Sequence, residues 1–405
     1  MSSEHIGRLK QFGLATQAVA GTPDDPEIWI PCQSIDFKPI FEKDRDDSAM
    51  GVIEEFSGEE HIQKKSGELA VECWGRDTSI GYFLKGVFGT ETLVSIITIS
   101  GASGGTPARG DVITSATGSW AGVIRKIFIV GAVTYYAVST TTGTIGDLDD
   151  KTDLTNGTWT GGTVEQGDFA DAKGHLFTRL NQNYGHPIYS LYTEDVVAGR
   201  EMSDASIDTF DFELMPELAP KINCTFKGIS VVDGGTLTPA NTTENKFLGK
   251  HCSVKFAANE AALNAASAVD LRRFKLSIAK NLQEEMKLGQ DGAISGYYPQ
   301  QFGITGDLEA LFNSETFRNY HLNNSYMACR IAIINSSVAA IEDVTADIFP
   351  SLYIDIMQAY FQEWSQSNDL NGLTSQTLGY TGHYEKTTTA ASIECLLINT
   401  KATVY

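Results

Sequence analysis

The sequence predicts a mainly β protein with two short helices, built from two related copies of one unit and interrupted by a small all-β module. Three observations lead there. Stretches that alternate apolar and polar residues recur along the chain, bounded by Gly, Pro, Asn and Asp. One order of elements occurs before residue 92 and again after residue 268. Between them lies a segment of different composition. The chain has 405 residues, room for two or three domains, and its 42% apolar and 20% charged content is that of a globular protein.

In the first copy a strand runs from Pro31 to Phe41, with Ile35, Phe37 and Phe41 alternating with Ser34, Asp36 and Lys38. A polar loop, Glu42 to Glu60, follows with eight acidic and two basic residues, too long for a plain hairpin turn. The strand ending GELAVECW (Gly67 to Trp74) sets Leu69, Val71 and Cys73 against Glu68, Ala70 and Glu72. A helix is expected from Asp77 to Phe88, because Ile80, Phe83, Leu84 and Val87 form one stripe. Asp77 or Thr78 would cap its start and Gly89 its end.

Residues 93–171 depart from this pattern. Gly101 to Asp168 holds 13 glycines and 13 threonines and lacks Met, Cys and His, which reads as short strands joined by tight turns. Trp120, Ile124, Phe128 and Tyr135 give it core material, so it is expected to be a folded module on the surface, projecting outward. Alternation resumes at Phe210, Phe212 and Leu214 against Asp211 and Glu213, and at Ile222, Cys224 and Phe226 against Asn223, Thr225 and Lys227.

The second copy has a strand from Val269 to Leu282, with Phe274, Leu276 and Ile278 opposite Arg273, Lys275 and Ser277. A polar loop, Gln283 to Gln300, a strand holding GDLEALF (Gly306 to Phe312), and a helix from a Ser314 cap to Leu322 with Phe317 and Tyr320 on one face complete it. The division expected is 1–92 with 172–235 as the first copy, 93–171 as the insert, and 236–405 as the second copy.

Composition excludes several function classes. With 30 Lys and Arg against 51 Asp and Glu the net charge is −21, unsuited to clamping DNA. The longest apolar run, Ile127 to Val138, is too short to span a membrane as a helix, and MSSEHIGRLKQFG has no signal-peptide core. The chain is therefore expected to be made and used in a cytoplasm, or to leave it without a secretory signal. The six cysteines (Cys32, Cys73, Cys224, Cys252, Cys329, Cys395) form no CxxC pair, and the seven histidines have no ligand spacing, so no metal or other cofactor is expected. Gly101 to Gly110 lacks the GK[ST] ending of a phosphate loop, and GxSxG, HExxH and EF-hand patterns are absent, so no enzyme is expected.

The opening GRLKQFGLATQAVAGTP, then EIWIPCQSIDF, the acidic loop, GELAVECW and the short helix, together with KLSIAKNLQEEM and FGITGDLEALFNSETF, resemble the tail tube proteins (major tail proteins) of long-tailed phages. The resemblance covers about 1–90 and 173–405, and the insert departs from it. It implies a β-sandwich flanked by a helix, whose inner sheets join around a ring into one β-barrel, with rings stacked into a DNA-conducting tube in the virion tail. With a duplicated fold three subunits make a pseudo-hexamer; otherwise six subunits make the ring. Tape-measure and tail-end proteins are the implied partners, DNA passes without specific binding, and no membrane is involved. Strand parity places Asp36, Glu68, Glu72, Asp211, Glu213, Asp307 and Glu309 on the lumen face, with Lys38, Lys227, Arg273 and Lys275 among them. The acidic loop, with Asp44, Asp46, Asp47, Ile53, Glu54, Glu55 and Phe56, is the candidate for ring stacking. The alternative is a β-rich adhesin or other virion surface binding module, with the insert as its ligand-binding part.

Overall fold

The computed structural model describes residues 10–44, 61–115, 120–144, 153–164, 172–195, 197–234, 237–289, 294–341, 347–368 and 372–405. The chain opens with β1 (Gln11–Thr16), β2 (Ile28–Ile30), and the long hairpin strands β3 (Cys32–Asp44) and β4 (His61–Trp74). Helix α1 (Ser79–Phe88) leads straight into β5 (Gly89–Ser100). Then come β6 (Val112–Ser115), β7 (Ala121–Val130), β8 (Val133–Thr142), β9 (Leu154–Thr155) and β10 (Thr163–Val164). The first half closes with β11 (Lys173–Arg179), β12 (Tyr189–Glu194), β13 (Gly199–Leu214), β14 (Lys221–Gly228) and β15 (Ser230–Gly234). The second half holds β16 (Cys252–Ala257), β17 (Ala268–Val269), β18 (Leu271–Ala279), β19 (Gln283–Met286), β20 (Ile294–Tyr298) and β21 (Gly303–Leu311). It ends with α2 (Thr316–Leu322), β22 (Tyr326–Ile334), β23 (Ser351–Ser367), β24 (Ser375–His383) and β25 (Ile393–Asn399).

Eight strands form one antiparallel sheet in the order β3–β4–β14–β13–β18–β21–β24–β23. The first four belong to the first half and the last four to the second. Each set has the same internal order, with the two strands of a hairpin followed by a later pair in reverse. The halves meet where Thr209–Leu214 of β13 pairs with Phe274–Ala279 of β18.

Strands β13 and β23 each serve two layers. The first part of β13 pairs with β12 and β15, and from Ser206 onward it joins the eight-stranded sheet through β14, with a bulge between Ile207 and Thr209 just past the change of partner. Likewise β23 pairs first with β22 and β25, then with β24 across a bulge between Phe361 and Glu363. A bulge bends the strand and raises its twist, which lets one strand turn a corner. The core lies between the layers: Leu69, Val71, Phe210, Phe212, Ile222, Phe226, Leu276, Ile278, Leu308 and Leu378 are all buried. Helix α1 closes it with Ile80, Phe83, Leu84 and Val87. At Gly306 the Tyr380 ring lies so close that a Cβ would overlap it at 2.5 Å, and the Tyr380 hydroxyl donates to the Lys275 carbonyl at 2.9 Å.

Several local expectations change. Gly89 ends α1 at a φ of +87°, as read from sequence, and at the start one of the two expected residues takes the cap position. Thr78 holds the cap position without a side-chain bond. The Asp77 carboxylate instead accepts from the Asn245 backbone N–H at 3.0 Å and its amide at 2.7 Å. For α2 the cap position falls to Glu315, and the Ser314 hydroxyl donates to Thr316. Residues 283–300, expected as a polar loop, contain the hairpin β19–β20, paired from Gln283↔Tyr298 to Met286↔Ile294. It lies beside the extended end of β4, where the Lys64 ammonium sits 2.6 Å from Glu284 and 2.9 Å from Glu42. All six cysteines are free thiols, four of them buried.

Residue 93 lies within β5, which pairs with β11 over its first half and with β8 beyond it. The long apolar run is the β7–β8 hairpin, turning at Gly131 with φ +61°. The segment has a core of its own around Ile113, Trp120, Ile124, Tyr136 and Trp159. A second cluster is shared, with Val94, Ile96, Phe128 and Tyr135 packed against Tyr353, Leu396 and Ile398 of β23 and β25. Inside that seam the Lys126 ammonium lies 2.6 Å from the Asp355 carboxylate, both side chains fully buried. Arg330 grips the same carboxylate with two bonds of 2.8 Å.

Candidate lumen face and strand edges

The eight-stranded sheet has one face in the core and the other open. Reading straight across it, Ser34, Glu72, Asn223, Asp211, Ser277, Thr305 and Thr381 form one polar row. Two residues along lies Trp74, Lys221, Glu213, Lys275, Asp307, Gly379 and Glu363. The row between them is Cys73, Ile222, Phe212, Leu276, Gly306 and Tyr380, which points into the core. A strand side chain alternates faces with period two, so seven strands kept in register produce a continuous polar surface from local alternation alone.

Asp36, Glu68, Glu72, Asp211, Glu213, Asp307 and Glu309 all lie on this open face; Asp36 is exposed and the other six are half-buried. Lys38, Lys227, Arg273 and Lys275 share it. Sequence reading missed Lys221 and Glu363, although KINCTFK alternates plainly enough to have placed the former. Five of the seven carboxylates are ion-paired. Lys38 meets Asp36 at 2.8 Å, Lys221 meets Glu72 at 2.9 Å, and Arg272 meets Glu309 at 3.4 Å. Arg273 lies between Glu213 at 2.7 Å and Asp307 at 3.4 Å. Such exposed pairs add little stability, but they lower the field the acidic excess creates.

Of the stacking-loop candidates, Asp44 ends β3, with the His61 ring 3.9 Å from its carboxylate. Asp46, Asp47, Ile53, Glu54, Glu55 and Phe56 lie outside the described residues.

The sheet ends at two strands. Among the described pairings β3 has β4 as its one ladder partner, and β23 beyond Tyr360 has only β24. Phe41 on β3 is 51% exposed, and Gln366 and Ser367 on β23 are exposed. Unpaired strand edges of this length are templates for another chain. Among the described residues no cluster of three His, Cys, Asp or Glu could hold a metal ion, and no helix is long and apolar enough to cross a membrane.

A broad polar sheet face, a single core behind it and two open edges define a structural β protein suited to association with copies of itself. The family model for phage tail tube protein matches residues 7–382, and the chain belongs to that family. This is a structural, non-enzymatic family whose members self-assemble into the tube of the virion tail. No curated protein matches the sequence.

Proposed function

We propose that the chain is a duplicated tube subunit, that subunits join edge to edge into a three-membered ring, and that the open polar face lines the DNA channel. The observation that carries this is the β13–β18 joint, a seam between two four-stranded sets of identical order. The same seam repeated between subunits would pair β23 of one copy with β3 of the next.

The register follows from matching Gly67 of GELAVECW with Gly306 of GDLEALF. Lys65 then matches Ile304, so their partners Phe41 and Ile278 match. Val71 matches Ala310, so Phe210 and Gln366 occupy the same row. Since Phe210 faces Ile278, Gln366 faces Phe41 of the neighbour, which accounts for an exposed Phe at that edge.

The geometry of closure supports the reading. Stepping across from Ile35 through Val71, Cys224 and Phe210 reaches Ile278, the counterpart of Phe41. The sheet therefore slips six residues, about 20 Å, over four strand spacings of about 19 Å, a strand tilt of about 45° and typical of closed barrels. Three subunits would give twenty-four strands and a barrel on the order of 50 Å across. Repeated acidic excess around such a wall keeps phosphates from sticking, so DNA can slide. The insert sits on the layer away from the polar face, on the outer wall.

The test is a cysteine pair, Gln366→Cys with Phe41→Cys, oxidised in assembled tubes. Covalent ladders that stop at three subunits are expected. Unlinked chains in intact tubes, or a ladder that continues to six, would overturn the register or the ring size respectively.

A further inference from the structure

A cavity of about 290 Å³ lies where β11 and the turn after it meet the base of the β19–β20 hairpin. Its charged lining is cationic: Arg179 and Lys280, accompanied by the His186 ring and the amides of Asn181, Gln182 and Gln300, with no carboxylate among the described lining residues. In a chain with 51 acidic and 30 basic residues that composition is unusual.

The cations are held in place and incompletely used. Lys280 is 2% exposed, and its ammonium donates to the Gly86 carbonyl at 2.9 Å, one acceptor for three donors. The Arg179 guanidinium stacks on the Phe302 ring at 4.5 Å. The His186 Nε2 is 2.7 Å from the Gln182 carbonyl, while its Nδ1 is buried without a partner. The carboxylate acting on Lys280 is that of Asp208, which already takes Lys227 at 2.7 Å and the Leu282 N–H at 3.0 Å; the Cys224 thiol nearby is held neutral by burial. An unpaired buried cation is costly, and an anion is what removes the cost.

We propose that this pocket binds a tetrahedral oxyanion of the size of inorganic phosphate, held by Lys280 and Arg179 and oriented by the neighbouring amides. Because Arg179 and His186 belong to the first half and Lys280 and Gln300 to the second, the anion fastens the hairpin base to the first half. Protonation supports the geometry. Burial lowers Lys280 to about 8, and burial with the Lys280 and Arg179 charges lowers His186 to about 4. An anion raises both, so binding takes up protons near pH 8.

The test is calorimetric titration of the full chain with sodium phosphate at pH 8, in two buffers of different ionisation enthalpy, against sodium chloride at equal ionic strength. Saturable millimolar binding with proton uptake is expected, weakened at least tenfold in Arg179→Gln, a half-buried site whose change is expected to leave the fold intact. Melting curves of that variant check the last point independently. Equal effects of phosphate and chloride, or unchanged affinity in folded Arg179→Gln, would overturn the proposal.

Discussion

Lys126→Met tests what joins residues 93–171 to the rest of the subunit. The ammonium and the Asp355 carboxylate are both fully buried and 2.6 Å apart. Methionine keeps most of the volume and removes the charge. Removing one partner of a buried pair costs about 3–5 kcal/mol, and the lower end applies because Arg330 still grips Asp355. The pH dependence is a separate signature. Burial pushes the Asp355 carboxyl up, but Lys126 and Arg330 outweigh it and hold the group at about 2. A depressed carboxyl stabilises the fold above its unfolded value near 3.8, and that contribution, on the order of 2 kcal/mol, is lost as pH falls toward 2. In the variant the folded value climbs, so the deficit is largest at neutral pH and narrows between about pH 4 and pH 2. Urea unfolding of dilute subunits at pH 7 and pH 3 measures both. A difference below about 1 kcal/mol at pH 7, or a gap that widens in acid, would refute the argument.

Three further outcomes follow. Excising 95–168 should yield insoluble or poorly folded subunits, because it uncovers Tyr353, Leu396 and Ile398 and strips Asp355 of Lys126; soluble excised protein that still forms tubes would show the seam to be dispensable. Lysine at Glu68, Glu72, Asp211, Glu213, Asp307 and Glu309 should still permit tubes, at about 0.5–1 kcal/mol per site. It should slow DNA ejection most at low salt; normal low-salt ejection would reduce the acidic excess to a solubility feature. Deleting Asp46 to Ser57 should leave a folded subunit that does not polymerise, checked by circular dichroism and negative-stain microscopy; normal tubes would remove that loop from stacking.

How much of this was legible depends on whether a strand is wet on one face. Phe210–Leu214, Ile222–Lys227 and Phe274–Ile278 alternate because one face packs and the other meets water, so sequence alone placed them and their carboxylates. The first part of β23 and all of β25 are buried on both faces and carry no such alternation. The hairpin β19–β20 fails in the opposite sense, since QEEM is exposed throughout and nothing in it repeats with period two. Thr78 holds the α1 cap position without a side-chain bond, and the Asp77 carboxylate is taken by Asn245, a residue too distant in sequence to be foreseen. Lys126 and Asp355 each sit as a charge inside an apolar run, a sign that a partner exists. Which partner it is depends on folding segments more than two hundred residues apart.

The joint between β13 and β18 also bears on how assembly begins. Its two strands share one polypeptide, so their encounter is set by a tether and is independent of protein concentration. On the proposed ring every second seam is of this kind, made at an effective concentration on the order of millimolar before any collision between subunits. Only the β23–β3 seams respond to dilution. Mass action therefore acts only through seams between subunits, and a ring of three takes two concentration-dependent encounters before it closes on itself where a ring of six separate units would take five.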